Sequence, residues 1–292
     1  MAQWIQTACL LEATARKPGN VHPARCFHDL CYSDFVKSAA VVAPVLAQSE
    51  RLEIGRAVFE AVKRTQQDVG RNTNLGIILL LAPLAAVPAN RSLSEGISDV
   101  LDRLSRADTA AVYRAIRLAN PGGMGKAAAD DIRDDPEGSL LDVMRLAAER
   151  DAIAAQYANR FQTVLDVGLS ILKTGSDSFA ANWEQRVIGL HLELMSRIPD
   201  TLIARKCGAE TAGRSALMAR EVLDAGWPET AGSRERLDRL DDWLRAEGNR
   251  RNPGTTADLV TACLFAALRE HAITVGSLPA GVADAISAQA DP

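Results

Sequence analysis

The sequence predicts an all-α protein. Three observations carry that expectation: apolar residues recur three and four positions apart almost everywhere, period-two alternation of β-branched residues is nearly absent, and helix-capping chemistry marks the breaks. Trp4, Ala8, Leu11 and Ala15 make the first apolar stripe, and Ile54, Val58, Ala61 and Val62 make the next. The segment 75–87 is apolar on every side, so it should run through the centre of the bundle rather than over its surface. Ser92 and Glu95 have the spacing of a capping box, and Asp108 can cap a helix that continues to Ala119. Ile153, Tyr157, Phe161 and Val164 form a third stripe, and Trp183, Val187, Leu190 and Leu194 a fourth. Gly70 and Gly208 suit positions just past helix ends, and Ser233 precedes a helix that ends near Glu247. Together these signals give a bundle of about ten helices around a central apolar one.

No internal repeat and no linker rich in Ser, Pro or Gly divides the chain. Residues 1–292 therefore read as one domain, with 275–292 as a loosely held tail. The net charge of −4 lacks the broad basic footprint of a nucleic-acid binder, so any anion site must be local. The longest apolar run, Leu75 to Val87, is too short to span a bilayer and contains Pro83. The opening residues lack the basic start and long apolar region of a signal peptide, which points to a cytoplasmic protein without a membrane role. Apolar residues on several helices make a homodimer plausible. The five cysteines are scattered, without the paired spacing of a zinc or redox site, and read as free thiols.

Polar loops between the helices carry the candidate chemistry. Asn249-Arg250-Arg251-Asn252-Pro253-Gly254-Thr255-Thr256-Ala257-Asp258 runs straight into an apolar helix. Its guanidinium groups, hydroxyls and the free N–H groups of a helix start can converge on phosphate oxygens, leaving Asp258 for Mg²⁺ or a reacting hydroxyl. Read more simply, Thr255 and Asp258 form a capping box and the arginines are solvated. Lys17-Pro18-Gly19-Asn20 offers a cation and a close backbone approach, or merely a helix stop. Glu12, one turn before Arg16, fits a functional carboxylate and a surface pair equally.

Asn72-Thr73-Asn74-Leu75-Gly76 opens the central helix with amides that can contact a base or ribose, or act as caps. The glycine loop 120–125 before Lys126 lacks Walker spacing. Asp130-Asp131-Ile132-Arg133-Asp134-Asp135 resembles a Mg²⁺–diphosphate motif of prenyl-transfer enzymes, although Pro136 argues for a loop. Arg205 and Lys206 end the segment that begins at Asp200, where they can reach a triphosphate or simply favour a helix C-terminus. His191 reads as a packed core histidine.

In combination and order, these stretches resemble the triphosphoribosyl-dephospho-CoA synthase family. The resemblance rests on Glu12 with Lys17-Pro18-Gly19-Asn20-Val21, Asp29 in Phe27-His28-Asp29-Leu30, Asn72-Thr73-Asn74-Leu75-Gly76, Asn120-Pro121-Gly122-Gly123 and Asp131. It continues through Arg150-Asp151, Gln156-Tyr157-Ala158, Asp200 to Lys206 and the loop 248–258. It implies a transferase that moves the 5-triphosphoribosyl group of ATP to the 2′-hydroxyl of dephospho-CoA, or of a related coenzyme acceptor, with loss of adenine. It further implies Lys17, Arg205, Lys206, Arg250 and Arg251 on the triphosphate, and Asn20, Asn72, Asn74, Asn252 and Thr255 orienting the nucleotide. Glu12, Asp29 and Asp258 are the expected catalytic carboxylates, and Asp29, Asp258 and Asp131 the expected Mg²⁺ ligands. Two competing readings are an all-helical Mg²⁺ enzyme acting on prenyl diphosphates and a non-catalytic ATP-binding protein.

Overall fold

The computed structural model describes residues 1–121, 138–174 and 179–275. Fourteen α-helices and one π turn make up the fold of these residues, joined by turns and a single isolated bridge between His22 and Arg25. In chain order they are α1 (Ala2–Thr14), α2 (Tyr32–Leu46), α3 (Ile54–Asp68), α4 (Leu75–Ala86), α5 (Leu93–Asp102), α6 (Arg106–Ala119) and α7 (Leu140–Ala147). There follow α8 (Ala152–Ala158), the π turn Thr163–Gly168, α9 (Leu169–Lys173), α10 (Trp183–Arg197), α11 (Thr201–Cys207), α12 (Ala209–Asp224), α13 (Ala231–Arg245) and α14 (Gly254–Arg269). The excess over the expected number lies in short helices such as α7 and α9, of eight and five residues, which hold too few turns to show a period. Among the described residues no helix is long and apolar enough to cross a membrane.

The all-round apolar segment is α4, and every residue from Ile77 to Ala86 is buried. Pro83 within it has no N–H, so the carbonyl four residues earlier loses its helical donor. Tyr157, fully buried on α8, supplies the missing bond by donating its hydroxyl to Leu79 O at 2.6 Å. At the other end, Arg269 donates to Leu84 O at 3.1 Å, Val87 O at 2.8 Å and Pro88 O at 2.9 Å, capping the terminal carbonyls of α4. Arg269 closes α14, while Asp258 near the start of α14 lies against Gly76 at the start of α4. The two helices therefore run parallel. Trp4 meets His271 edge-on at 5.7 Å, and Glu12 lies near enough to Asp258 to perturb it, so α1 runs antiparallel to both.

Most helices share one core built on α1, α4 and α14. A smaller apolar cluster joins α10, α11, α12 and α13 through Leu192, Met195, Ile203, Ala219 and Leu240. Helix α10 serves both, with Val187, Leu190 and Leu194 on the main core and Ile188, Leu192 and Met195 on the other.

Three local expectations are corrected. Ser105, rather than Asp108, caps α6; Asp108 is the third-position partner of a capping box, and its second oxygen accepts from Gly55 N at 2.7 Å, tying α3 to α6. Thr230, rather than Ser233, caps α13, accepting from Ser233 N at 3.0 Å. The stripe Ile153–Val164 is buried as expected, but its helix breaks where Arg160 and Phe161 adopt φ of 58° and 63°, so burial continues across a turn. The glycine loop beyond Pro121, the acidic run 130–135 and the tail beyond 275 lie outside the described residues.

Candidate nucleotide site

The C-terminal end of α1 meets the N-terminal ends of α4, α11 and α14 at one pole of the bundle. The loop after α1 is clamped there. Gly19 has φ of 75°, and a Cβ on it would lie 2.8 Å from both Leu244 Cβ and Pro253 Cδ, so only glycine lets this bend press on α13 and on the start of α14. Its N–H donates to Asp241 Oδ1 at 2.7 Å, and Arg245 donates to Asn20 O at 2.6 Å.

Lys17 turns inward from this loop and is fully buried. Its ammonium pairs with Glu12 Oε1 at 2.9 Å and donates to the carbonyls of Glu12 and, at 3.3 Å, Ala15. Those three contacts satisfy its donors, and it does not line the cleft described below. His191, fully buried beside it, is held neutral by burial and by the neighbouring cation, as a core histidine should be.

Asp258 projects from near the start of α14 towards the start of α4. A Cβ on Gly76 would sit 2.0 Å from Asp258 Oδ2, so this glycine makes room for the carboxyl. Enclosure raises the Asp258 pKa well above the usual carboxylate range, and the carboxylates of Glu12, Asp200 and Asp151 raise it further, with Arg205 opposing them. This raised carboxyl lies beside the Lys17–Glu12 ion pair. Pro253 is the residue at the cap position of α14, with no side-chain cap, so Thr255 and Asp258 do not form a capping box.

Asp200 fixes the two helix starts relative to each other. One oxygen accepts from Leu202 N and Ile203 N, both at 2.9 Å, and the other from Thr256 N at 2.7 Å and Thr256 Oγ1 at 2.8 Å. Burial raises its pKa despite those four bonds. Thr201 Oγ1 donates to Thr255 Oγ1 at 3.2 Å and accepts from Ala152 N at 3.3 Å, which brings α8 to the same pole. Asn72 Oδ1 accepts from Leu75 N at 3.2 Å, and Asn74 Oδ1 accepts from Thr65 Oγ1 at 3.1 Å. The Asn74 amide nitrogen and the Asn20 amide oxygen are buried without partners.

An open cleft of about 480 Å³ adjoins this cluster. One wall is the turn Phe27–Leu30, a second is Arg205 and Lys206 at the end of α11, and the third is Gly248, Asn249, Arg250 and Asn252. Lys206 Nζ donates to Asn252 Oδ1 at 3.0 Å, and Arg250 donates to Lys206 O at 3.2 Å. Arg205 pairs with Asp151 at 3.0 Å and also reaches the field of Asp258, while Asp29 acts on Lys206. Burial lowers the Lys206 pKa.

Five of the expected residues therefore share the cleft, namely Asp29, Arg205, Lys206, Arg250 and Asn252. Arg251 faces elsewhere: its guanidinium lies 4.5 Å from the Trp243 ring centroid, donates to Trp243 O at 3.0 Å and pairs with Glu247 at 2.5 Å. Asp131 is outside the described residues. Asp151, Asp200, Thr201 and Gly76 belong to the arrangement although the sequence reading gave them no role. An Asp followed by a helix was the available signal for the first two, and both do cap helices.

Comparison with known proteins gives a consistent picture. Residues 1–275 match the family model described as ATP:dephospho-CoA triphosphoribosyl transferase. A Pseudomonas putida protein assigned as a 2-(5''-triphosphoribosyl)-3'-dephosphocoenzyme-A synthase is 31% identical over 67% of this chain, and the match spans 62% of that relative's length. A Stutzerimonas stutzeri protein of the same assignment is 33% identical over 38% of this chain and 37% of its own. A crystal structure described as a triphosphoribosyl-dephospho-CoA synthase from Archaeoglobus fulgidus superposes with a TM-score of 0.62 at 28% identity, over 80% of this chain and 97% of that one.

Proposed function

This chain belongs to the ATP:dephospho-CoA triphosphoribosyl transferase family, and on that premise we propose that it moves the 5-triphosphoribosyl group of ATP to the 2′-hydroxyl of a dephospho-CoA-like acceptor, releasing adenine. One observation carries the reading: a cationic cleft wall adjoins a carboxyl cluster in which Glu12 is paired with Lys17 and burial raises the Asp258 pKa well above the usual carboxylate range. Transfer from a nucleoside needs both halves. Cations hold the triphosphate while positive charge develops on the ribose, and two carboxyl groups in different surroundings serve the departing and incoming groups.

On this reading Arg205, Lys206 and Arg250 grip the phosphates, and Asn252 orients them. Asp258 gives its proton to the departing adenine, and Glu12 takes the proton of the attacking hydroxyl. Asn20, Asn72, Asn74 and Thr255 orient the sugar side, where the unpartnered amide atoms of Asn20 and Asn74 await a ligand. Lys17 acts through Glu12 rather than on phosphate, and Arg251 acts by holding the loop to Trp243.

Magnesium fits as a companion of the nucleotide. Among the described residues no three His, Cys, Asp or Glu side chains are grouped to hold a metal, and burial disfavours the charged form of Asp258 that a metal would need. Mg²⁺ characteristically binds through one or two carboxylates plus substrate phosphates, so Asp29 on the cleft wall is the described residue that would add a ligand. When bound it would neutralise triphosphate charge. The prenyl-diphosphate reading rested on 130–135, and the family match does not favour it.

Mass spectrometry of the protein with ATP, Mg²⁺ and dephospho-CoA tests the proposal. A triphosphoribosyl adduct together with free adenine is expected. Absence of adenine with dephospho-CoA and with related coenzyme acceptors, despite ATP binding, would instead support the non-catalytic alternative.

A further inference from the structure

Helices α12 and α13 are joined by the turn 225–230 and hold a second groove between them, about 360 Å³ in volume. Arg214, Leu217, Met218 and Glu221 line it from α12, at the spacing of one helix face, and Arg236 and Arg239 line it from α13. It shares no residue with the nucleotide cleft.

The three arginines are weakly engaged within the chain. Arg236 approaches Glu221 only to 3.7 Å and Arg239 approaches Glu235 only to 3.8 Å, beyond hydrogen-bond length and open to solvent, so these pairs contribute little. Arg214 lies over the Trp243 ring, 5.1 Å from its centroid, a contact made by the guanidinium face that leaves its N–H edge available. Among the described residues, none of the three donates a hydrogen bond to the protein. In a chain of net charge −4 the groove is therefore a local concentration of positive charge, three cations against one carboxylate.

Leu217 adds an apolar surface among these cations, at 67% exposure. Two glycines accompany it: Gly213 and Gly232 stand inside α12 and α13, one turn before Leu217 and Arg236. A Cβ on either would meet nothing within 4 Å, so no packing inside the chain calls for glycine there. Glycine weakens a helix, but it lets a backbone from outside come close.

We propose that the α12–α13 groove docks an acidic amphipathic helix of a partner protein. Its carboxylates would lie on Arg214, Arg236 and Arg239, and its apolar edge on Leu217 and Met218. Charge complementarity and concave shape select this occupant. A nucleic acid asks for a broader basic track, and an anionic membrane takes up a protruding apolar face rather than a groove. A second copy related by a two-fold axis would set the patch against itself, arginine facing arginine.

The probe is a fluorescein-labelled synthetic helix of about eighteen residues, with leucines at i, i+3, i+4 and i+7 and glutamates on the adjoining face. Its binding to the whole protein is followed by anisotropy, beside a scrambled peptide of the same composition. A Kd on the order of 10 μM is expected for the patterned helix, weakening as salt rises, with at least tenfold weaker binding of the scrambled one. Arg236→Glu with Arg239→Glu should weaken binding tenfold or more, and Leu217→Ser should do so about fivefold without changing any charge. Circular dichroism should show parental helix content in both variants, and Leu217→Ser alone suffices if the double variant does not fold. No binding up to about 1 mM, equal binding of the two peptides, or binding that survives both variants would overturn the proposal. So would a protein that ignores the helix but binds phosphatidylserine vesicles through these arginines, or a dimer in sedimentation that the charge reversal splits, since either gives the groove another occupant.

Discussion

Replacing Lys17 with Met tests whether this lysine grips phosphate or holds Glu12. In the structure the Lys17 ammonium sits 2.9 Å from Glu12 Oε1, and the two side chains are 0% and 6% exposed. Solvent cannot compensate either charge. Met preserves most of the side-chain volume and removes the cation, which leaves the Glu12 carboxylate enclosed beside Asp258. Breaking a buried pair from one side costs about 3–5 kcal/mol. For a chain of this size that corresponds to a fall in melting temperature of roughly 5–8 °C. Urea unfolding at neutral pH, with Lys17→Met, Glu12→Gln and the double variant in one cycle, measures it directly. The double variant should recover much of the loss, because a neutral glutamine beside methionine leaves no unpaired charge. A single variant that loses less than about 1 kcal/mol, or a double variant whose losses simply add, would refute the buried-pair argument. Weaker ATP binding at unchanged stability would return Lys17 to the phosphate.

Further outcomes follow from the same geometry. Asp258→Asn should abolish adenine release while leaving the fold intact. Because the Asp258 pKa is raised, its stabilising contribution is complete below the ordinary carboxylate value near 4 and is lost as pH climbs towards the raised value, so the Asn variant should show a flatter stability profile over that window. Gly76→Ala should cut turnover about a hundredfold by pushing the Asp258 carboxyl aside, and a rate within a few fold of the parent would exclude that contact. Arg205→Met with Lys206→Met should weaken ATP affinity in calorimetry, whereas Arg251→Met should lower thermal stability and leave that affinity unchanged. His22, held near pKa 4 by burial and by Arg245, should lose stabilising effect as pH falls from about 6.5 towards 4, and His22→Gln should remove that slope in acid titration followed by circular dichroism.

The amino-acid order by itself determined the helical class and the central place of 75–87, because a segment apolar on every side can only be satisfied inside a bundle. It also singled out the polar bends from which the pole of the molecule is built. Its capping signals were readable but degenerate. Ser105 and Asp108 both suit a helix start, and only the chain path decides that one caps while the other reaches Gly55. The short helices α8 and α11 were only partly legible, one as the first half of the Ile153–Val164 stripe and the other as a cationic helix end before Gly208, since seven residues hold too few turns for a full period to emerge.

Only the tertiary structure decided how the cations divide their work. Lys17, Arg205 and Arg251 look alike as motif residues, yet one is enclosed against Glu12, one lines the cleft and one lies on Trp243. The difference arises because a long charged side chain takes its role from whatever reaches its tip, and that is fixed by residues far away in the chain. The raised pKa of Asp258 has the same origin: it is buried against Gly76 and faces Glu12, Asp200 and Asp151, residues of four separate segments whose meeting at one pole no local sequence could mark.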